Sequence, residues 1–282
     1  MLDDEVIVEA APAKLNLALH VRRRRADGYH DLETLFAFAT DGDVVTIAPA
    51  AADTFVVTGP FAPGLSGEGD NLVTRAAHAF TAAFAPGARH AIALEKNLPV
   101  ASGIGGGSAD AAATLRALAR LHGVEAADGR LAAIARDLGA DVPACLLGRT
   151  ALGTGRGDEL IALEPLGNVP ALLVNPRVAV STGPVFAGWD GVDRGGIAGE
   201  GDVMARARAG RNDLAAPALR LARVIADVLA RLEAAPGARF VRMSGSGATC
   251  LALFRTAADR HATARALATA RPDWWTLETA LA

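Results

Sequence analysis

The sequence predicts an α+β protein of two domains, and three observations carry that expectation. Short runs of alternating or β-branched apolar residues are interleaved along the whole chain with alanine- and leucine-rich stretches of helical period. A glycine-rich segment, GRTALGTGRGD over residues 148–158, interrupts the pattern near the middle, so the expected domains are residues 1–152 and 153–282. A second such stretch, Leu98 to Leu118, leaves a proline-marked strand end and passes through Gly103, Gly105, Gly106, Gly107 and Ser108 into a helical pattern.

Residues 6–10 (VIVEA) and 13–21 (AKLNLALHV) read as two strands. In the second, Lys14, Asn16, Ala18 and His20 alternate with Leu15, Leu17, Leu19 and Val21, which places the polar set on one face. A half-solvated edge strand has the same pattern. The run Arg22 to Arg25 reads as a solvated turn, and Asp27-Gly28 marks a tight one. Tyr29 and His30 follow: a ring that can stack on a planar ligand and an imidazole that can hydrogen-bond one, or else a surface turn and core packing. Leu32, Leu35, Phe36 and Phe38 fit a strand or a helix.

Residues 43–48 and 54–58 are expected as short strands, and Asp70 as the N-cap of a helix over 71–84. Another strand, 90–96, delivers the chain to the glycine loop. In the helix that follows, Leu115, Leu118 and Leu121 share one side, and Asp110 complements the dipole of the first turn. Asp128 starts a further helix that ends near Gly139. Asp141-Val142-Pro143 then sets a carboxylate at a helix-to-loop junction, where it reads either as an N-cap or as a catalytic base. The second half adds a strand at 171–175, helices near 213–234 and 257–270, and a hairpin over 240–254 whose turn, Ser244-Gly245-Ser246-Gly247, is able to close on the glycine loop. Residues 188–201, rich in glycine around Trp189, are expected to form a mobile loop.

Composition narrows the function classes. A 282-residue chain with 51% hydrophobic residues fills a sizeable core, yet no apolar run approaches the roughly 20 residues of a membrane span. The acidic start MLDDEVIVEA is unlike a signal peptide, so a cytoplasmic location is expected. A net charge of −3 offers no field for nucleic acid. Cys145 and Cys250 are far apart and lack metal-ligand spacing, so they are read as small buried residues. Of 28 basic residues 26 are arginine; the two lysines, Lys14 and Lys96, stand out as places where a compact ammonium is wanted.

The glycine loop invites phosphate. Glycines let successive backbone N–H groups converge, and a helix start adds unpaired N–H groups and positive dipole character. No Lys-Ser or Lys-Thr pair closes the loop as in Walker A, and Ser108 stands where a dinucleotide fingerprint has its third glycine.

Taken together, PAKLNLALH from Pro12, PVASGIGGGSA from Pro99 and MSGSGATC from Met243 resemble the superfamily of galactokinase, homoserine kinase, mevalonate kinase and phosphomevalonate kinase, over essentially the whole chain. RADGYHDLETLF, GGGSADAA and LGADVP make it similar, within that superfamily, to the family of kinases acting on a diphosphocytidyl polyol in non-mevalonate isoprenoid synthesis. The other small-molecule kinases of the superfamily are the alternative, against which ADGYH and LGADVP argue. Ile104 departs conservatively from the usual leucine.

The resemblance implies a two-domain GHMP kinase fold, with an N-terminal domain like ribosomal protein S5 domain 2 and a ferredoxin-like C-terminal domain. It implies Asp141 as base toward the acceptor hydroxyl, Lys14 beside it and the γ-phosphate, and Asn16 on the acceptor's hydroxyls. Tyr29 and Phe186 would sandwich cytosine, His30 would read its polar edge, and Thr182 would lie nearby. For ATP it implies Pro99, Gly103, Ile104, Gly105, Gly106, Gly107 and Ser108 around the phosphates, with Asn71 and Lys96 near the nucleoside. Mg²⁺ is expected with ATP, with Ser108 the nearest candidate protein ligand. The expected partner is a small molecule carrying a cytidine diphosphate group, without nucleic acid or membrane, bound by a monomer or weak homodimer.

Overall fold

The computed structural model describes residues 5–65 and 71–282. A single 18-residue strand, β1 (Ile7–Arg24), takes the place of the two expected at the N-terminus. Pro12 costs it one ladder donor without ending it. After the Asp27-Gly28 turn, β2 (His30–Pro49) absorbs both the ambiguous apolar stretch and the short strand expected at 43–48. β3 (Thr54–Thr58) follows, then a 3-10 turn (Ala62–Leu65) and α1 (Leu72–Phe84). Asp70, the expected cap of α1, lies outside the described residues. Asn71 caps that helix instead: its Oδ1 accepts from the N–H groups of Val73 and Thr74, while the Thr74 hydroxyl accepts from Asn71 N.

β4 (His90–Glu95) leads into the glycine loop and α2 (Gly106–Leu121). α3 (Gly129–Leu138) begins at its Asp128 cap, and α4 (Val142–Leu147) follows Asp141. The glycine-rich segment at 148–158 forms a hairpin of β5 (Ala151–Thr154) and β6 (Glu159–Ala162). Then come β7 (Val169–Asn175), α5 (Thr182–Ala187), α6 (Val203–Ala209), α7 (Ala215–Leu221), α8 (Val224–Glu233), β8 (Ala238–Met243), β9 (Cys250–Phe254), α9 (Ala257–Ala270) and β10 (Trp275–Leu281).

These elements make two compact units that alternate along the chain. Among the described residues the first comprises 5–13, 41–100 and 105–148, and the second 14–40, 101–104 and 149–282. In the first unit β3 runs parallel to β4, and β4 pairs antiparallel with the later half of β2, from Val44↔Glu95 to Pro49↔His90. α2 packs against α1 and α4. Ala109, Ala111, Ala112, Ala113 and Ala117 are buried with Leu115 and Leu118, because an alanine-rich helix lets its neighbours approach on several sides. Asp110 is buried too, so it does not serve the helix dipole from the surface.

In the second unit β7 pairs antiparallel with both β10 and β9, and β9 with β8. The earlier half of β2 pairs with β5. Residues 171–175 and 250–254 are buried on both faces, so these strands read as continuous apolar runs. The single helix expected over 213–234 is two, parted at Ala222, whose backbone is not helical (φ −140°, ψ 86°). Residues 211–213 are held by β1: Leu19 N donates to Arg211 O and Asp213 N to Leu19 O. The break lets Leu214 and Ala218 in one helix and Ile225, Val228 and Leu232 in the next all reach the same core.

Residues 188–201, expected to be mobile, are irregular but tied down. Trp189 and Ile197 are buried, Arg22 pairs with Asp193, Ile197 N donates to Glu33, and Gly195 O meets His20 Nδ1 at 3.0 Å. Both cysteines are buried, as expected. Among the described residues no helix is long and apolar enough to cross a membrane.

Candidate active site

The polar face of β1 is not solvated. Lys14, Asn16 and His20 are 3%, 2% and 2% exposed, so the edge-strand reading fails and each polar group needs a partner. Thr34 supplies one and fixes the geometry. Its hydroxyl has one hydrogen, donated to Ala18 O at 2.8 Å, so it accepts from Asn16 Nδ2, also at 2.8 Å. That turns Asn16 Oδ1 toward Lys14, whose ammonium donates to it at 3.2 Å and lies 5.3 Å from the centre of the Phe36 ring. A lysine and an asparagine two residues apart are thereby held in one orientation.

The second glycine-serine turn closes on the first. Ser244 Oγ donates to Gly103 O at 3.0 Å and accepts from Asn16 N at 3.2 Å, Thr249 N donates to Ser102 O, and Lys14 N donates to Ile104 O. Glycine is required at 103: φ is +78°, and a Cβ there would lie 2.5 Å from Gly247 O and 2.7 Å from Ser244 O. Asn212 Nδ2 braces the turn by donating to the carbonyls of Met243 and Gly245. The loop then reverses through Gly105, with φ +65°, and starts α2 without a side-chain cap. The first N–H groups of a helix have no intrahelical partners, and those of Gly106, Gly107 and Ser108 stand at this end. Gly107 is exposed and Pro99, at the loop entry, is buried. Such a cradle fits a chain of phosphates.

Lys96, expected near a nucleoside, is 2% exposed, with its ammonium hydrogen-bonded to Asp43 and 2.7 Å from Asp110 Oδ2. Burial alone would lower its pKa, but the two carboxylates outweigh this and raise it. Burial pushes the Asp110 carboxyl up to about 8 against the pull of Lys96, and its Oδ1 has no hydrogen-bond partner. Asn71 spends its amide oxygen on capping α1. Asp141 occupies the N-cap position of α4 but makes no capping bond with its side chain, so the capping reading does not account for the carboxylate.

The remaining candidates gather in the second unit. His30 is largely buried against Phe186, with centroids 5.0 Å apart, and edge-on to Trp189 at 5.8 Å. Arg24 Nε donates to His30 Nε2 at 3.4 Å, which assigns the ring hydrogen to Nδ1. Burial first, and the Arg24 charge second, lower the His30 pKa, so the imidazole is neutral at neutral pH. Tyr29 is half exposed, with the Arg156 guanidinium 5.2 Å from its ring centre. Thr182 Oγ1 lies 3.1 Å from Ser246 Oγ. The arginine run is not the expected turn: Arg22, Arg23 and Arg24 end β1, and Arg22, Arg23 and Arg25 are ion-paired with Asp193, Glu33, Asp31 and Asp27.

Sequence reasoning did not single out Thr34, Asp43, Arg24 or Trp189. Nothing local marks Thr34 or Asp43; Arg24 was hidden in a run of four alike.

Residues 71–149 match the GHMP kinases N terminal domain and residues 200–273 the GHMP kinases C terminal domain, which defines the class, small-molecule kinases of GHMP type. A 4-diphosphocytidyl-2-C-methyl-D-erythritol kinase from Rhizorhabdus wittichii is 60% identical over 97% of this chain and 94% of its own length. One from Sphingopyxis alaskensis is 51% identical over 97% and 98%. A crystal structure of 4-(cytidine 5'-diphospho)-2C-methyl-D-erythritol kinase matches with a TM-score of 0.82 and 37% identity, covering 98% of this chain and 99% of that one. The chain belongs to the 4-diphosphocytidyl-2-C-methyl-D-erythritol kinase family.

Proposed function

We propose that the protein transfers the γ-phosphate of ATP to the 2-hydroxyl of 4-diphosphocytidyl-2-C-methyl-D-erythritol, a step of non-mevalonate isoprenoid synthesis. The full-length likeness to kinases of that name carries the reading. The glycine loop and α2 start supply backbone N–H groups for the phosphates, with Ile104 and Pro99 shaping the approach. Mg²⁺ would be held mainly by phosphates and water, with the Ser108 hydroxyl as the protein group on offer, and would neutralise charge on the phosphates.

Asp141 is assigned the role of base. An alcohol is a poor nucleophile, but phosphoryl transfer passes through a loose transition state, so orienting the hydroxyl and accepting its proton late is enough. Lys14, fixed by Asn16 and Phe36, supplies positive charge where the transferring group gathers negative charge. Asn16 is committed to Thr34 and Lys14 through its side chain, so its role is to position Lys14 as well as to meet substrate hydroxyls. Tyr29 and Phe186 offer ring faces for a base, the neutral His30 offers Nδ1–H to an acceptor on its edge, and Thr182 borders that region.

An acceptor panel with ATP consumption as readout tests the reading. Turnover is expected with the diphosphocytidyl polyol; turnover with homoserine or mevalonate and none with it would refute the assignment. In the same assay Asp141→Asn is expected to lower kcat by about 10²–10⁴ with ATP binding retained. A near-normal rate would remove Asp141 from the role of base.

A further inference from the structure

We infer that Asp43, Lys96 and Asp110 form a buried clamp joining the two ends of the glycine loop, and that they act as positioning residues for the phosphates of ATP. The inference rests on the reading of that loop as the ATP site. At the entry, Asp43 Oδ1 accepts from the N–H groups of Asn97 and Leu98 at 2.6 and 2.8 Å. At the exit, Asp110 projects from the second turn of α2. Lys96 ties the two together, bonded to Asp43 Oδ2 and 2.7 Å from Asp110 Oδ2. The three side chains are 0–3% exposed.

The clamp explains a glycine that backbone conformation does not. Gly106 is the first residue of α2 and has no positive φ, so any L residue could adopt its backbone. A Cβ there would meet Lys96 Nζ at 3.0 Å. An unrestrained lysine would swing aside, but this ammonium is held by carboxylates from both sides. A side chain at 106 would therefore press on the clamp, which lies directly beneath it, and the start of α2 rests on a fixed charge. Stability alone does not account for such a triad. Burying an ammonium between two carboxyl groups is costly, apolar residues of similar volume are often as stable or more so, and Asp110 Oδ1 is left without a hydrogen bond. A fixed register between loop entry and loop exit is the property that apolar packing would not supply.

The test measures KM for ATP, KM for the acceptor and Tm on the full-length enzyme. Lys96→Met combined with Asp110→Leu replaces the ion pair by apolar groups. The folded variant is expected to show a KM for ATP raised at least tenfold, with the acceptor KM within twofold of wild type. Gly106→Ala is expected to raise the ATP KM at least fivefold in the wild-type background but not in the Lys96→Met/Asp110→Leu background, where nothing rigid remains below. A wild-type ATP KM in the folded double variant overturns the clamp, as does an equal Gly106→Ala effect in both backgrounds. If the double variant does not fold, Asp110→Asn replaces it. A rise of at least threefold is then expected, and an unchanged ATP KM overturns the proposal. Failure of the wild-type enzyme to bind ATP would instead overturn the reading of the loop itself.

Discussion

Lys14 and Lys96 are the two lysines of the chain, both are buried, and they are handled differently. Lys96 lies between two carboxylates that hold its charge and, through it, the ends of the glycine loop. Lys14 lies on β1, where its ammonium donates to the Asn16 amide oxygen and stands 5.3 Å from the centre of the Phe36 ring. The comparison teaches that burial of a lysine does not by itself distinguish a structural charge from a reactive one. The partners do.

Substituting each lysine by methionine separates the roles most strongly. Lys14→Met is expected to reduce kcat by about 10²–10³, as for loss of one group stabilising transition-state charge. Its ATP KM should change little, and a kcat near wild type would break the comparison. Lys96→Met leaves Asp43 and Asp110 facing each other in the interior, so it is expected to cost about 3–5 kcal/mol of stability, read from denaturant unfolding. A cost near zero would mean that the triad is not held as the structure places it.

A smaller effect sharpens the same contrast at the aromatic end of the second unit, where an exposed ring stands beside a buried one. Tyr29→Ala is expected to raise the acceptor KM roughly twofold to tenfold, the equivalent of about 0.5–1.5 kcal/mol of stacking, with the ATP KM unchanged. An unchanged acceptor KM would remove the stacking role.

The smallest effect concerns pH. Burial is the largest cause of the lowered pKa of His20, His30, His90 and His122, and His90 Nε2 lies 2.9 Å from His122 Nε2. Below the ordinary value of 6.5 the unfolded chain binds protons that the folded one resists, so stability falls as pH drops through that value. Asp110 acts in the opposite sense: its raised pKa favours the folded state at low pH, and that contribution is lost as pH rises from 3.8 toward about 8. His122→Gln isolates the histidine part and is expected to flatten the slope of Tm between pH 7 and pH 5.5. An unaltered slope would exclude the pair from the account.

Much was legible from local pattern. The glycine loop, its helix and the glycine-serine hairpin are written in contiguous residues, and their chemistry follows from backbone N–H groups that any reader of the sequence can place. The scarcity of lysine marked positions 14 and 96 but not their difference. Other elements were misjudged for physical reasons. Two strands were expected, over 6–10 and 13–21, where there is one, and a strand tolerates the donor missing at Pro12. The helix over 213–234 kept its apolar period across a break that only the shared core requires. Glycines at 188–201 suggested mobility, but Arg22, Glu33 and His20 hold that segment from more than 150 residues away in sequence.

By itself, then, the sequence determined the glycine loop and the helix it feeds, the alternating strand that carries Lys14 and Asn16, and the family, because each is carried by residues close together in the chain. Only the tertiary structure decided that Lys96 is locked between Asp43 and Asp110, that Thr34 turns Asn16 toward Lys14, and that Gly103 is closed over by Ser244 and Gly247. Those outcomes depend on which distant groups share a buried space, where an unpaired charge or polar atom is costly, and local spacing does not record that.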